Sequence, residues 1–523
     1  MLLAGTAFAA FAAAAASVVP APAAPASTFE TCAPLLINAT APTHTTSPFF
    51  ASYTIDPSRN RLFFNTNFSD PRLLYLAREL GGSALIRFGG GGADTLTYGG
   101  FGGLPPCDAP QPSGYECLNK TTLDALAAFA AHAGSQLIFG LNIVPAAPPP
   151  GPPSGPLNTT QARGLLLYAR AAFPAALFGL ELGNERNHHG FTAPQQSAAF
   201  DALHALLQEL WPAPQRPPAL VGPDADGAGN GPPEEMIAYL AQFVQLQGAR
   251  LRGVTHHEYL QVNATTVLNA TFLDRTGAIA RQVVAGVRAV SARAPVWGGE
   301  VGPHTGDSAG DGLAGTCGGN LLCGRFGSAI WYADAMAAKA SSGYDAFFRQ
   351  DFVGASYALV NTSVPGRPGT FFGGATPSPD YYLLYLWARL VGARVLAVGA
   401  PGAPATTRAY GFCTRGAAPP AAASATLVLL NIDPLAPACL QLPAWVPPGA
   451  QLTFYTLTPG APAEGVQSWG ARLNGALLEL APGGLLPSLA GRTAPAAGGA
   501  VELPPLSVSL VVVPAGAALG ACA

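Results

Sequence analysis

Apolar and polar positions along this 523-residue chain follow two alternating patterns between about residues 50 and 395. Short runs rich in β-branched and aromatic residues are typical of buried strands, and the longer stretches between them repeat apolar residues at helical spacing. The predicted strands are 52–56, 84–88, 136–142, 177–182, 219–223, 253–259, 295–300 and 345–351. The predicted helices are 71–80, 122–133, 161–173, 196–211, 234–247, 278–292, 328–341 and 380–390.

Eight strand–helix repeats predict an α/β fold, a (β/α)8 TIM barrel that occupies residues 50–395. A doubly wound open sheet is the alternative, and such a sheet usually has a glycine-rich phosphate loop after its first strand. The residues that follow the first predicted strand here, Pro57 and Ser58, do not form such a loop. The pattern therefore favours the barrel.

The pattern changes after residue 396, where short strand-like runs are separated by proline and glycine turns. These runs lie at 426–431, 451–457, 478–480 and 506–513. No helical periodicity of any length accompanies them, so residues 396–523 are predicted to form a C-terminal β-sandwich. The N-terminal segment 27–49 is expected to add a strand to that sandwich.

The first 26 residues are apolar and small, and they are interpreted as a signal peptide with an uncertain cleavage site. A membrane anchor is the alternative, but a span needs about 20 apolar residues. N-x-S/T sequons support secretion; they are Asn38, Asn67, Asn119, Asn158, Asn263, Asn269 and Asn361. We expect an extracellular or cell-wall protein, with a vacuole or a lysosome-like compartment as the alternative location.

Composition limits the possible partners. The net charge is −3, so no strong field attracts nucleic acid or anionic lipid. The hydrophobic fraction of 49% is enough to build a core, although the chain has 62 glycines and 51 prolines. Its lysines are Lys120 and Lys339 alone, and a polysulfated ligand would therefore meet few cations.

Eight cysteines fit an oxidising compartment. Cys107 and Cys117 flank one Pro/Gly-rich loop, and Cys317 and Cys323 flank another, so each pair is a natural local disulfide. Neither pair has histidines at zinc spacing, and no metal or other cofactor is expected. Spacing alone does not pair the remaining cysteines, which are Cys32, Cys413, Cys439 and Cys522.

Polar side chains follow nearly all the predicted barrel strands, at the face where the active sites of such barrels form. Two of them are glutamates, Glu185 after the fourth strand and Glu300 at the end of the seventh. Hydrolysis of a glycosidic bond needs two carboxyl groups, about 5–5.5 Å apart for retention and about 6.5–9.5 Å apart for inversion. Strands four and seven lie roughly opposite each other, so these glutamates are the candidate catalytic pair.

Several segments resemble one family of glycosidases. Residues 181–185 (ELGNE) are similar to the acid/base motif of the clan A barrel enzymes, and residues 297–300 (WGGE) are similar to their nucleophile motif. Matches at 52–56, 85–90, 254–259, 349–357 and 379–382 narrow the resemblance to heparanase and its relatives, glycoside hydrolase family 79. The resemblance extends from about residue 28 to the end of the chain.

This resemblance implies a role for individual positions. Glu185 would be the acid/base and Glu300 the nucleophile, with Tyr259 against Glu300. The implied sugar-binding positions are Asp56, Asn184, His257, Gln350, Tyr357 and the backbone of Gly354 and Ala355. A metal shared by His256 and His257 is not expected, because neighbouring residues of a strand face opposite sides. The resemblance also pairs Cys413 with Cys522, which leaves Cys32 and Cys439.

The expected function is that of a secreted, retaining, heparanase-like β-glucuronidase. Its substrate partner would be an unsulfated carbohydrate or glycoside that contains glucuronic acid. Two alternatives stay open: another clan A β-glycosidase specificity and a non-catalytic glycan-binding relative. The two intact glutamates argue against the second, since a binding protein has no need of both.

Overall fold

The computed structural model describes residues 32–57, 63–111, 114–143, 159–228, 233–304, 321–322, 324–354, 357–361, 375–416, 423–447, 449–515 and 518–522. Some sequence predictions lie outside these residues: the signal peptide at 1–26, the sequon at Asn158, the pair Cys317 and Cys323, and the backbone of Ala355. Residues 32–523 belong to one compact unit. No helix in the described ranges is long and apolar enough to cross a membrane.

Eight parallel strands close into a barrel, in which the last strand pairs with the first. They are β1 Ala51–Ile55, β2 Leu85–Phe88, β3 Gln136–Leu141, β4 Leu177–Leu182, β5 Ala219–Ala228, β6 Leu251–Glu258, β7 Val296–Val301 and β8 Ala346–Arg349. The predicted (β/α)8 barrel is confirmed and the open sheet is excluded. Strand β5 extends beyond the predicted range 219–223 and includes Asp224 and Asp226.

Eight helices accompany the barrel strands. They are α1 Pro71–Glu79, α2 Lys120–His132, α3 Thr159–Ala172, α4 Ala193–Leu210, α5 Pro233–Gln247, α6 Ala270–Val290, α7 Phe326–Ser341 and α8 Pro379–Leu390. Helix α6 begins earlier than the predicted 278, because the Asn269 side chain accepts a hydrogen bond from the Phe272 N–H and caps the helix there.

The two ends of the barrel differ in polarity. Large apolar side chains close the end at which the strands begin. Among them, the Phe49 ring lies edge-on to Trp297, and the Phe178 ring is tilted relative to it. Strand ends at the opposite face present carboxylates, an imidazole and amides instead. Only that face therefore offers polar groups that converge toward a ligand.

Two sheets accompany the barrel and share one apolar core. The larger is antiparallel, and the smaller is mixed, because Ala33–Pro34 pairs parallel with Ala438–Gln441. The larger contains Val391–Leu396, Thr407–Thr414, Ser424–Asn431, Gln451–Pro459, Ala471–Leu473, Ala476–Leu477, Arg492–Pro495, Ser507–Pro514 and the N-terminal His44–Thr45. The smaller contains Ala33–Pro34, Ala438–Gln441 and Ala500–Leu503. This sandwich begins at Val391, which directly follows α8, and the segment Val398–Gly399 pairs with the N-terminal Leu36–Ile37.

One predicted strand is wrong. Residues 478–480 are irregular, and the adjacent hairpin Ala471–Leu473 with Ala476–Leu477 turns at Asn474 and Gly475. Leu478 is apolar because it is buried behind this hairpin, and it forms no ladder of its own. Only Leu478 of the three is buried, and the two leucines on either side of the exposed Glu479 imitate the alternation of a strand.

Three disulfides are present among the described cysteines: Cys32–Cys439, Cys107–Cys117 and Cys413–Cys522. The first ties the N-terminal segment to the smaller sheet, and the third joins a strand of the larger sheet to the end of the chain. One sequon is unavailable in this fold, because Asn361 is only 5% exposed.

Candidate active site

The barrel brings Glu185, His257 and Glu300 together from three different strands. One side-chain atom of each lies within 4.8 Å of the corresponding atoms of the other two. Glu185 follows β4, His257 lies near the end of β6 and Glu300 lies in β7. The two glutamates predicted from the sequence therefore lie close together at the carboxyl ends of the strands.

Glu300 is surrounded by hydrogen-bond donors. The Tyr259 hydroxyl donates to its Oε1 at 2.5 Å, and Arg87 Nη1 donates to its Oε2 at 2.8 Å. His257 Nδ1 lies 4.0 Å from the same Oε2. Hydrogen bonds and positive charges directed at a carboxylate favour its ionised form.

Arg87, from β2, organises the floor of the site. Its Nε donates to Glu181 at 2.7 Å, and its Nη2 donates to both Asn184 Oδ1 and Asp224 Oδ2 at 3.1 Å. The side chain is fully buried, so three carboxylates and an amide replace the water that this guanidinium would otherwise bind. Its rigid fork fixes the positions of Glu300 and Asn184 relative to each other.

Glu185 has a different environment. Its backbone has φ of 51°, a left-handed conformation that costs a non-glycine residue about 1–3 kcal/mol. Its N–H donates to the Asp224 carbonyl at 2.9 Å. Its carboxyl group makes one described side-chain contact under 3 Å, from Oε1 to His257 Nδ1 at 2.8 Å, and the side chain is 25% exposed.

His257 lies between the two glutamates and is fully buried. Its Nε2 is 3.4 Å from Asp224 Oδ1, which is close enough for an ion pair but poorly aligned for a hydrogen bond. Burial lowers the pKa of His257, but Glu300, Asp224 and Glu185 together raise it well above the usual range. The imidazole is therefore expected to be protonated and to donate to Glu185.

The two glutamates have opposite pKa shifts. Burial raises the pKa of Glu185, and it prevails over the hydrogen bond and the charge of His257. Burial also acts to raise the pKa of Glu300, but His257, Arg87 and the Tyr259 hydroxyl outweigh it, so that this pKa is lowered. One carboxyl group therefore favours holding a proton and the other favours releasing it.

Asp56 and Gln350 meet on the β1–β8 side of the site, with Gln350 Nε2 3.3 Å from Asp56 Oδ2. The Thr54 hydroxyl donates to Gln350 Oε1 and orients the amide. Gly90, with φ of 126°, allows this arrangement, because a Cβ at that position would lie 2.5 Å from the Asp56 carboxylate. Both side chains are buried, and their contact connects the ends of β1 and β8 at the face that carries Glu300.

Tyr259 and Tyr357 pack against each other and form a buried aromatic wall beside Glu300. A Cβ at Gly302 would lie 2.3 Å from Tyr259 Cε1, so only glycine leaves room for the tyrosine. Gly354 has φ of 114° in the turn before Tyr357. The structure thus brings the sequence-predicted residues Asp56, Asn184, His257, Tyr259, Gln350, Gly354 and Tyr357 to the face that carries Glu185 and Glu300.

Two other strand-end residues are directed elsewhere. The Asn142 amide donates to the Leu96 carbonyl at 2.8 Å, and Arg349 pairs with Asp380 at 2.6 Å behind β8. Arg87, Asp94, Glu181 and Asp224 were not assigned a role from the sequence. Charged residues inside apolar strand runs were the signal for Arg87 and Glu181.

Glu185, His257 and Glu300 could in principle supply three ligand atoms to a metal ion. The charges of the site do not fit such an ion. Arg87 already lies against Glu300, and a protonated His257 has no lone pair for a metal. The positive charge that a cation would bring is provided by these two side chains.

Comparisons with known proteins show that the chain is similar to several glycoside hydrolases. Residues 83–337 match the family model described as glycosyl hydrolase family 79, N-terminal domain. The chain is 30% identical to heparanase of Gallus gallus over 412 residues, 76% of this chain and 71% of that protein. It is 26% identical to baicalin-β-D-glucuronidase of Scutellaria baicalensis over 440 residues, 77% of this chain and 76% of that protein.

Among solved structures, a 4-O-α-L-rhamnosyl-β-D-glucuronidase from Fusarium oxysporum superposes with a TM-score of 0.62. The match covers 91% of this chain and 99% of that chain at 15% identity. At that identity the likeness concerns the fold alone.

Proposed function

This chain belongs to glycosyl hydrolase family 79 and is a heparanase- and glucuronidase-like glycoside hydrolase, and from that premise we propose a retaining β-glucuronidase with Glu185 as acid/base and Glu300 as nucleophile. The observation that carries this proposal is the opposite pKa shift of two glutamates that share one site. Glycosidases assign acid and nucleophile roles to two carboxyl groups by giving them such different environments.

The spacing of the glutamates supports a double displacement. The nearest oxygens of the two carboxyl groups are no more than 4.8 Å apart. An inverting enzyme keeps its carboxyl groups about 6.5–9.5 Å apart to hold a water molecule between one of them and the sugar. The closer spacing supports a direct attack of Glu300 on the anomeric carbon.

In the first step, a Glu300 oxygen attacks the anomeric carbon while the bond to the leaving oxygen breaks. Glu185 gives its proton to that oxygen, so the aglycone departs as a neutral alcohol. In the second step, Glu185 removes a proton from water, and the hydroxide replaces Glu300 at the anomeric carbon. His257 donates to Glu185 Oε1, which leaves the other carboxyl oxygen to carry the transferred proton.

Arg87 and Tyr259 prepare Glu300 for this attack. Their hydrogen bonds of 2.8 and 2.5 Å hold the carboxylate ionised and fix its orientation. Arg87 also holds the Asn184 amide oxygen, which leaves the amide N–H group directed toward the sugar 2-hydroxyl. A contact to this hydroxyl strengthens in the oxocarbenium-like transition state and contributes several kcal/mol together with ring distortion.

A glucuronide is the preferred substrate class in this proposal. The family resemblance assigns the uronate carboxylate to the Tyr357 hydroxyl and the Gly354 backbone, and here Tyr357 is buried and Gly354 has φ of 114°. The name of the Scutellaria relative, baicalin-β-D-glucuronidase, supports this assignment. Asp56 and Gln350 would bind the remaining sugar hydroxyls.

Secretion is part of the same proposal. The apolar stretch at 1–26 resembles a signal peptide, and the three described disulfides require an oxidising compartment to form. The described sequons other than Asn361 remain candidates for glycosylation.

A panel of aryl β-glucuronide, aryl β-glucoside, aryl β-xyloside and heparan sulfate tests the proposal. We expect the aryl β-glucuronide to be hydrolysed fastest, with the β-anomer of glucuronic acid as the first product in proton NMR. An α-anomer as first product would contradict retention. Faster hydrolysis of the glucoside or xyloside would move the chain to another clan A β-glycosidase specificity, and no hydrolysis of any member would favour a non-catalytic glycan-binding protein.

A further inference from the structure

Asp94 lies in a short 3-10 helix, Gly91–Thr95, that follows β2. Its carboxylate is buried and bonds to residues at the ends of two other strands. Oδ2 accepts from the Asn184 N–H at 2.8 Å and from Arg186 Nη1 at 3.3 Å, and Oδ1 accepts from the Ile143 N–H at 3.3 Å. One side chain therefore connects the loops after β2, β3 and β4.

The loop after β4 is the one that carries Glu185 in its left-handed conformation. Two consecutive backbone N–H groups of this loop have partners. The Asn184 N–H donates to the Asp94 carboxylate, and the Glu185 N–H donates to the Asp224 carbonyl. Beyond Glu185 the chain closes into a compact turn, in which the His188 N–H donates to the Glu185 carbonyl at 3.0 Å. The direction of the Glu185 carboxyl group depends on these contacts, because its own side chain has few.

Arg186 completes the arrangement from the other side of Glu185. Its guanidinium pairs with Asp94 and lies over the Phe191 ring at 4.7 Å. The Phe191 N–H also donates to the Arg186 carbonyl at 3.0 Å. Burial raises the pKa of Asp94, and Arg186 with the two backbone N–H groups opposes that rise.

We propose that Asp94, together with Arg186, is a positioning residue that fixes the backbone on both sides of Glu185 and thereby aims its carboxyl group at the leaving-group oxygen. This inference rests on the proposed role of Glu185 as acid/base. Asp94 has no described contact with Glu300, so we expect it to act mainly on proton transfer and less on nucleophilic attack. Misplacement of a reacting group by about 1 Å can cost about 100-fold in rate.

This role predicts a dependence on the leaving group. Asp94→Asn keeps the shape and one acceptor oxygen but removes the charge that holds Arg186. We expect kcat/KM for an alkyl or saccharide β-glucuronide, whose leaving oxygen needs a proton, to fall at least about 30-fold. For 2,4-dinitrophenyl β-glucuronide, which needs almost no protonation, the fall should stay within about threefold.

Arg186→Met provides a second variant in case Asp94→Asn does not fold. The methionine keeps apolar contact with Phe191 and removes only the ion pair, so the same leaving-group pattern should appear with a smaller magnitude. The matched control is Asp334→Asn, which breaks another buried Asp–Arg contact, the one with Arg408 that lies between α7 and the strand Thr407–Thr414. This control should lower the melting temperature and leave the ratio of the two substrates unchanged.

Equal losses on both substrates in the Asp94→Asn and Arg186→Met variants would overturn the proposal, because they would indicate a general structural role. An unchanged rate on both substrates in a folded variant would overturn it as well. Failure of the proposed function itself is distinguishable, since the wild-type protein would then hydrolyse neither glucuronide.

Discussion

Glu185 and Glu300 are chemically identical side chains, and the difference between their surroundings explains their different protonation. The carboxylate of Glu300 is 8% exposed and receives donors from Arg87 and Tyr259, whereas that of Glu185 is 25% exposed and contacts only His257 closely. Both are desolvated, so burial alone would raise both pKa values. The number of donors and positive charges, and not the depth of burial, decides which carboxyl group ionises.

The largest expected effect comes from removing the ionised member of the pair. Glu300→Gln keeps the size of the side chain and removes its charge and nucleophilicity, so turnover of every glycoside should fall by at least about 10⁴-fold. Glu502→Gln, on an exposed strand position of the sandwich, is the control and should retain full activity. Near-normal activity of Glu300→Gln would show that the assignment is wrong.

Removing the protonated member should have a more selective effect. Glu185→Ala deletes the general acid, which typically contributes about 10²–10⁴-fold for leaving groups that need a proton. Substrates with excellent leaving groups should be spared in the first step, and added azide should then accelerate turnover by attacking the glycosyl-enzyme. Loss of activity on activated and unactivated glucuronides to the same extent would contradict the acid/base role.

His257 links the two environments, because its charge lowers the pKa of both glutamates. His257→Asn keeps a donor and removes the charge, so both pKa values should rise. Activity needs ionised Glu300, so it is lost as the pH falls through the pKa of Glu300. It also needs protonated Glu185, so it is lost as the pH rises through the pKa of Glu185. Both limbs of the kcat/KM profile should therefore move to higher pH, and movement of either limb to lower pH would refute this account.

The smallest expected effect concerns the substrate. Donors that bind a carboxylate are left unsatisfied when the uncharged analogue binds, so β-glucuronides should be preferred over β-glucosides by at least about tenfold in kcat/KM, or about 1.4 kcal/mol. Tyr357→Phe should reduce that preference and leave glucoside hydrolysis nearly unchanged. Heparan sulfate should be a poor substrate because the chain has only two lysines. Equal rates on glucuronide and glucoside would refute the uronate assignment.

The sequence was sufficient to predict the barrel because its strands are continuous apolar runs that end in polar residues. The same rule predicted that Glu185 and Glu300 lie at the face where strand ends converge, since Glu185 comes shortly after the end of β4 and Glu300 lies near the end of β7. The start of α6 was not, because the polar stretch 274–277 (DRTG) resembles a loop and only the Asn269 cap marks the beginning of the helix.

Other features depend on contacts between segments that are distant in the chain. Arg87 bonds to Glu181, Asp224 and Glu300, and no local pattern indicates that one guanidinium serves all three. The Asp94 contacts likewise require the loops after three strands to be placed side by side. Short sandwich strands such as Ala438–Gln441 were missed because their partners, not their own composition, make them strands.

The most direct test of the different roles of the two glutamates is to trap the glycosyl-enzyme. An activated 2-deoxy-2-fluoro-β-glucuronide slows both steps, but its good leaving group allows the first to occur, so a covalent intermediate should accumulate. Peptide mapping by mass spectrometry should then find the fluorosugar esterified to Glu300 and to no other carboxylate. A label on Glu185 would contradict the account, and so would inactivation without any labelled residue.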